Sequence, residues 1–283
     1  MRIATPLLIL AIVTFQTDSV NAAFGGKQRR RAQRSSNAAV HPEKVRELIN
    51  AAAAGDIEKV LEVLNTGINV NATFDRDDSE LSGMTALMAA SHRGYSNLVG
   101  ELIKRGANVN LKRHLGGTAL MLAAGNPDVN TIRALLAAGA NPNIQEVSFH
   151  AGEITPLILI INSRSEHRLE IAEMLIAARA KINPRGRFAL SPLMHATKDL
   201  EMVKLLVSYG ADVNLRNFRG ATPLMAAATD GTGPVVKFLL EKGADANARD
   251  KDGHTALAYA ENRRELFEPA EREEIIQLLR KKR

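Results

Sequence analysis

Side chains able to do bond chemistry are scarce in this chain, and their spacing does not combine them. The seven histidines, spread from His41 to His254, show no H-E-x-x-H or H-x-x-H spacing that would seat a metal on one helix face. Cysteine is absent, which excludes a thiolate nucleophile, a disulfide framework and a cysteine-based zinc site. No G-x-S-x-G elbow or P-loop occurs. The stretch DGTGPVVK (230–237) puts Gly231 and Gly233 ahead of an apolar helical run. It lacks the third glycine of a phosphate-cradling loop and reads as a turn. FDRDDSE (74–80) alternates Asp75, Asp77 and Ser79 as a calcium loop does, but Glu80 stands where glycine is needed and no glutamate closes the loop. It reads as a solvated acidic loop. The chain is expected to be no enzyme and to use no metal or cofactor.

What remains must act by shape and surface. The chain has 283 residues, 45% hydrophobic but only 4% aromatic, so a core must be built from Ala, Leu, Val and Ile. The formal charge of +6 is unevenly placed. KQRRRAQR (27–34) carries five positive charges and the terminal RKKR (280–283) four, which leaves −3 for the body once Arg2 and Asp18 cancel. A phosphate backbone needs clustered cations on a folded face, so nucleic acid is not an expected partner.

The first 22 residues, MRIATPLLILAIVTFQTDSVNA, run from a basic start at Arg2 through an apolar stretch, Ile3 to Phe15, to small or modest residues before a cut after Ala22. That is the grammar of a secretory signal peptide. The apolar stretch contains Pro6 and is shorter than the roughly 20 residues that span a membrane. Residues 1–22 are therefore expected to be cleaved, 23–42 to form a basic linker and 43–283 to form the folded domain. The mature chain would be exported: periplasmic in a bacterium with two membranes, secreted otherwise, with no stable membrane anchor.

That domain is written in repeats, and internal periodicity decides the fold before anything else does. A Thr/Ser-(Pro/Ala)-Leu triplet recurs at Thr85, Thr118, Thr155, Ser191, Thr222 and Thr255, in steps of 33, 37, 36, 31 and 33 residues. A second landmark, Gly-(Ala/Ile)-x-(Val/Ala/Pro)-Asn, begins at Gly67, Gly106, Gly139, Gly210 and Gly243, with a degenerate copy at Arg179. Thr222 can cap a helix whose first position, Pro223, has no N–H to leave unpaired. VVKFLL (235–240) then spaces apolar residues for a second helix, and Gly243 ends it in the left-handed conformation that suits glycine.

These phrases resemble the ankyrin-repeat motif, in which Gly-x-Thr-Pro-Leu-His-x-Ala-Ala is followed by Leu-Leu-x-x-Gly-Ala-Asp-Val-Asn. The match covers roughly residues 43–280. The resemblance implies an all-α ankyrin solenoid of about seven helix-turn-helix units joined by β-hairpin fingers. It also implies that function lies in holding another protein on the concave surface of fingers and first helices, as a monomer. A second reading is an accessory scaffold that stabilises or localises an exported enzyme.

Departures from the pattern fall in the middle of the array. The fingers around residues 71–85 and 143–155 are long, NSRSEHR (162–168) lengthens one inter-helix turn, and Arg179 replaces glycine. The repeat starting at Ser191 is shortened around Thr197 to Leu200. Four of the eight phenylalanines fall in fingers: Phe74, Phe149, Phe188 and Phe218. Aromatic residues and arginine dominate interface energetics. The expected contact set is therefore Phe74, Phe149, Phe188 and Phe218 with Arg187 and Arg219 beside them, joined by Arg113 and His114. His92, Arg93, Asn126, Lys198, Asp199 and Asp230, on first helices and the turns after them, are further candidates.

Overall fold

Nine of the fourteen helices among the described residues start on a side-chain cap. The computed structural model describes residues 42–74, 83–113, 116–148, 152–184, 190–262 and 269–282. The chain divides into Met1–Val40, which lies outside the described residues together with the leader and the KQRRRAQR run, and His41–Arg283. The described part of the second unit holds seven helix pairs. They are α1 (Pro42–Ala54) with α2 (Ile57–Asn65), α3 (Ala86–Arg93) with α4 (Ser96–Lys104), and α5 (Ala119–Gly125) with α6 (Val129–Ala137). Next come α7 (Pro156–Ile161) with α8 (Arg168–Ala177) and α9 (Pro192–His195) with α10 (Leu200–Ser208). The last are α11 (Pro223–Asp230) with α12 (Gly233–Glu241) and α13 (Ala256–Asn262) with α14 (Pro269–Arg280). Between α6 and α7 the long finger forms a hairpin, β1 (Glu146–Ser148) antiparallel to β2 (Gly152–Ile154), with Val147 opposite Glu153.

All six Thr/Ser landmarks are first-helix caps. The hydroxyls of Thr85, Thr118, Thr155, Ser191, Thr222 and Thr255 each accept from the backbone N–H three residues on, at 3.2–3.4 Å. Removing such a cap costs about 1 kcal/mol. Asp56, Asp128 and Asp199 do the same for α2, α6 and α10. Helices this short are not stable alone, so packing must supply the rest. First helices stack on first helices and second helices on second helices along the chain. The core is aliphatic and continuous, from Val45 and Leu48 in α1 to Ile275 and Leu279 in α14. Alanines such as Ala90, Ala123 and Ala227, all fully buried, let neighbouring first helices approach closely.

The asparagine of the second landmark is a staple between repeats. The amide groups of Asn71, Asn110, Asn143, Asn183 and Asn214 each donate to the carbonyl of the helix-ending residue in the next repeat: Gly106, Gly139, Arg179, Gly210 and Gly243. Each amide oxygen accepts from the N–H two residues further on, and the ten bonds span 2.7–3.2 Å. The helix-ending residue must be left-handed to present its carbonyl. Gly243 has φ +87°, and Arg179 takes φ +68° in the same role, the one non-glycine with positive φ among the described residues.

The irregular middle is as the spacing implied. Repeat 4 has a six-residue turn between α7 and α8, and α9 in repeat 5 is a single turn long. Shortening repeat 5 brings its turn against the next repeat: a Cβ at Gly231 would lie 2.8 Å from the Thr197 carbonyl oxygen and 2.6 Å from that of Ala227. One at Gly233 would lie 2.8 Å from the Glu274 carboxyl carbon. Gly231 is there for close packing against backbone at a turn, whereas Gly233 meets only the movable carboxyl end of Glu274.

Candidate functional site

The first helices present one repeated position to the fingers. Four residues after each cap stand Ala89, Leu122, Leu159, His195, Ala226 and Tyr259; Ala89 is buried and the other five are half-buried. Tyr259 shows where this position points, because its hydroxyl donates to Asp250 Oδ2 in the preceding finger at 2.6 Å. By equivalence of position the others form a stripe, mostly aliphatic, along the angle between helices and fingers. His195 sits in its middle, and burial pulls its pKa down to about 4, so at neutral pH it offers an uncharged imidazole.

Two fingers are built alike. In the finger 210–221, Asn217 Oδ1 accepts from the N–H groups of Arg219 and Ala221, at 2.9 and 3.0 Å. In the finger 243–254, Asp250 Oδ1 accepts from Asp252 and His254, at 3.0 and 2.8 Å. Burial alone would raise the Asp250 carboxyl. The Tyr259 hydroxyl and the two amides outweigh it and hold the group below the ordinary carboxylate range. Tyr259 is in turn pushed up to about 12 by burial and by Asp250. Such a side-chain-braced turn throws the next two residues outward. Phe218 is 44% exposed and Arg219 is exposed beside it, with the guanidinium 6.0 Å from the ring centroid, at the edge of cation–π reach. The equivalent tip carries Lys251 and Asp252. The tips are tied together by Lys251 N–H donating to the Arg219 carbonyl at 2.9 Å and by Arg216 Nη1 donating to the Arg249 carbonyl at 2.7 Å.

The expected contact residues separate on this frame. Phe218 and Arg219 stand together on an exposed tip. Phe74 does not: it is 7% exposed and part of the core, and its carbonyl accepts from the Gly83 N–H. Its expected role as a contact is corrected to a structural one. Arg113 is half-buried at the first position of its turn, its side chain across Gly117, where a Cβ would lie 3.0 Å from its Nε. His114, Phe149, Arg187 and Phe188 lie outside the described residues, as does the acidic loop around Asp75 to Glu80. Of the secondary candidates, Asp199 caps α10 and pairs with Arg168 at 2.6 Å. Asp230 accepts from Thr197, and Asn126 donates to the His92 carbonyl. These three join repeats. Sequence reasoning missed Leu122, Leu159, Tyr259 and Lys251; a fixed offset from the six caps, or from the Asn/Asp turn residue, would have found them.

Asp250, Asp252 and His254 carry ligand-type atoms within 4.8 Å of one another. Both Asp250 oxygens already accept hydrogen bonds, so the group is explained by the turn.

The family model for ankyrin repeats (3 copies) matches residues 48–146 and 193–282. The chain is an ankyrin-repeat protein. The stretch between the two matches holds the ankyrin array's irregular repeat 4, with its long turn and Arg179. Among solved structures, the ankyrin repeat domain of human ASB11 is similar at 24% identity and a TM-score of 0.66, over 83% of this chain and 97% of that one. That likeness speaks to the fold alone. The ankyrin repeat domain of Bcl-3, described as a unique member of the IkappaB protein family, is similar at 25% identity and a TM-score of 0.63, over the same shares. No curated protein matches the chain.

Proposed function

We propose that this ankyrin array is an exported protein-binding module whose partner docks on the finger tips and the first-helix stripe. The observation that carries the reading is the Phe218–Arg219 tip, an aromatic residue 44% exposed beside an exposed arginine on a turn braced from within. Ankyrin repeats are generally protein-binding modules, and exposed aromatic and arginine side chains are the ones that concentrate binding energy. A rigid backbone beneath them lowers the ordering cost of association. Nothing in the proposed mechanism requires bond chemistry.

Phe218→Ala tests the surface. Affinity capture with the mature protein from its native exported fraction should yield a partner that the variant loses, with melting temperature and helical content nearly unchanged. Equal capture by both proteins moves the contact off the fingers. Export has its own test. The recovered protein should begin near Ala23, and an intact Met1 form embedded in membrane contradicts it. Among the described residues no helix is long and apolar enough to cross a membrane.

A further inference from the structure

The fingers differ in charge along the stack, and the difference specifies the partner's chemistry. Resting on the binding reading above, we infer that the tips of the fingers 210–221 and 243–254 take an acidic segment of the partner protein. The finger 67–84 carries Asp75, Asp77, Asp78 and Glu80 against Arg76 alone, and 139–154 carries Glu146 and Glu153 with no lysine or arginine. The next finger, 179–190, has Arg179, Lys181, Arg185 and Arg187 and no carboxylate. In 210–221 and 243–254 the acids Asp212 and Asp245 accept hydrogen bonds within their own Asx turns, ahead of the tips. The side chain of Asp250 is 2% exposed and both its oxygens are occupied. Asp252 remains as the exposed carboxylate on these tips, against exposed Arg219 and Lys251.

The arginine heads are not equivalent. Arg216 donates to the Arg249 carbonyl and Arg249 to the Gly253 carbonyl, at 2.7 and 2.8 Å, so the first guanidinium ties the two tips together and the second braces its own finger. Arg219 and Lys251 are joined through the backbone, Lys251 N–H to Arg219 carbonyl, which holds two exposed cations on adjacent tips, with the Phe218 ring centroid 6.0 Å from the Arg219 guanidinium. Among the described residues no carboxylate lies within ion-pair distance of either. Two positioned cations and one aromatic face suit a peptide that alternates carboxylates with apolar groups. A nucleic acid suits them less, because the body of the chain is net acidic and the fingers 67–84 and 139–154 would repel a continuous phosphate backbone. Long-range complementarity of this kind sets approach and orientation as well as affinity.

The test uses the full chain and a fluorescent peptide alternating Glu and Val, read by anisotropy at low and physiological salt. Arg219→Glu/Lys251→Glu should weaken binding about tenfold or more. Lys204→Glu/Lys237→Glu, the same charge change on α10 and α12, should leave it nearly unchanged. A third variant, with Lys27, Arg29, Arg30, Arg31 and Arg34 replaced by Gln, separates the basic run from the fingers. Equal binding by the finger variant, or loss only in the Gln variant, overturns the inference. So does an oligothymidylate probe that binds more tightly than the peptide and is lost with Arg219 and Lys251. If the captured partner survives Arg219→Glu/Lys251→Glu yet is lost with Phe218→Ala, the fingers bind protein and the acidic-segment inference is wrong.

Discussion

Asp250 shows how one residue serves both the fold and the surface. Its carboxylate closes the turn of the finger 243–254, anchors that finger to the first helix α13 through Tyr259, and so faces inward, away from the exposed tip. Its pKa lies below the ordinary value of 3.8 in the fold. The ionised form is therefore favoured by folding, and its contribution is present above about pH 4 and lost as pH falls through the depressed value. The melting temperature should decline more steeply below pH 4 than that of Asp250→Asn. At neutral pH the variant should be less stable by about 1–3 kcal/mol, because an amide NH2 turned toward the Tyr259 hydroxyl cannot accept its hydrogen bond and the neutral amide oxygen accepts more weakly from the two backbone N–H groups. Identical pH profiles for the two proteins would remove Asp250 from the account. At this scale the sequence was only partly legible. Thr222 and its five counterparts could be read as caps because a cap is a local event. That Phe74 would be buried and Phe218 exposed could not, since the same side chain in two fingers is sorted by the packing around each, which is not local in sequence.

At the scale of elements, the helix pairs and their boundaries follow from cap, apolar spacing and helix-ending glycine, all short-range signals. The asparagine staple was visible as a recurring letter whose work lies between repeats, across 27 to 38 residues of sequence, and nothing local states its partners. Arg179 tests the logic of the stack. It holds φ +68° where its counterparts are glycines, and its carbonyl accepts from Asn143 at 2.8 Å. A left-handed non-glycine residue costs roughly 1 kcal/mol. Arg179→Gly should therefore raise stability by about that amount, read by denaturant unfolding with an unchanged slope. A loss of stability would show that the arginine head holds the irregular repeat together in a way that outweighs its backbone strain.

Across the folded unit, one aliphatic core runs through seven helix pairs while the outward features change from repeat to repeat. Regular positions build the stack; the exposed tip positions such as Phe218, Arg219 and Lys251 are where sequence can vary without touching its core. The acidic fingers 67–84 and 139–154 alternate with the basic fingers 106–117 and 179–190 along the chain. The central claim is that this edge of the stack holds a protein. It is tested most directly by placing a photo-crosslinking phenylalanine analogue at position 218 and, separately, at Lys237 on α12, and irradiating each with the native exported fraction. The account predicts a discrete adduct from position 218 and none of that mass from 237. An adduct from 237 alone, or the same adduct from both, would contradict it.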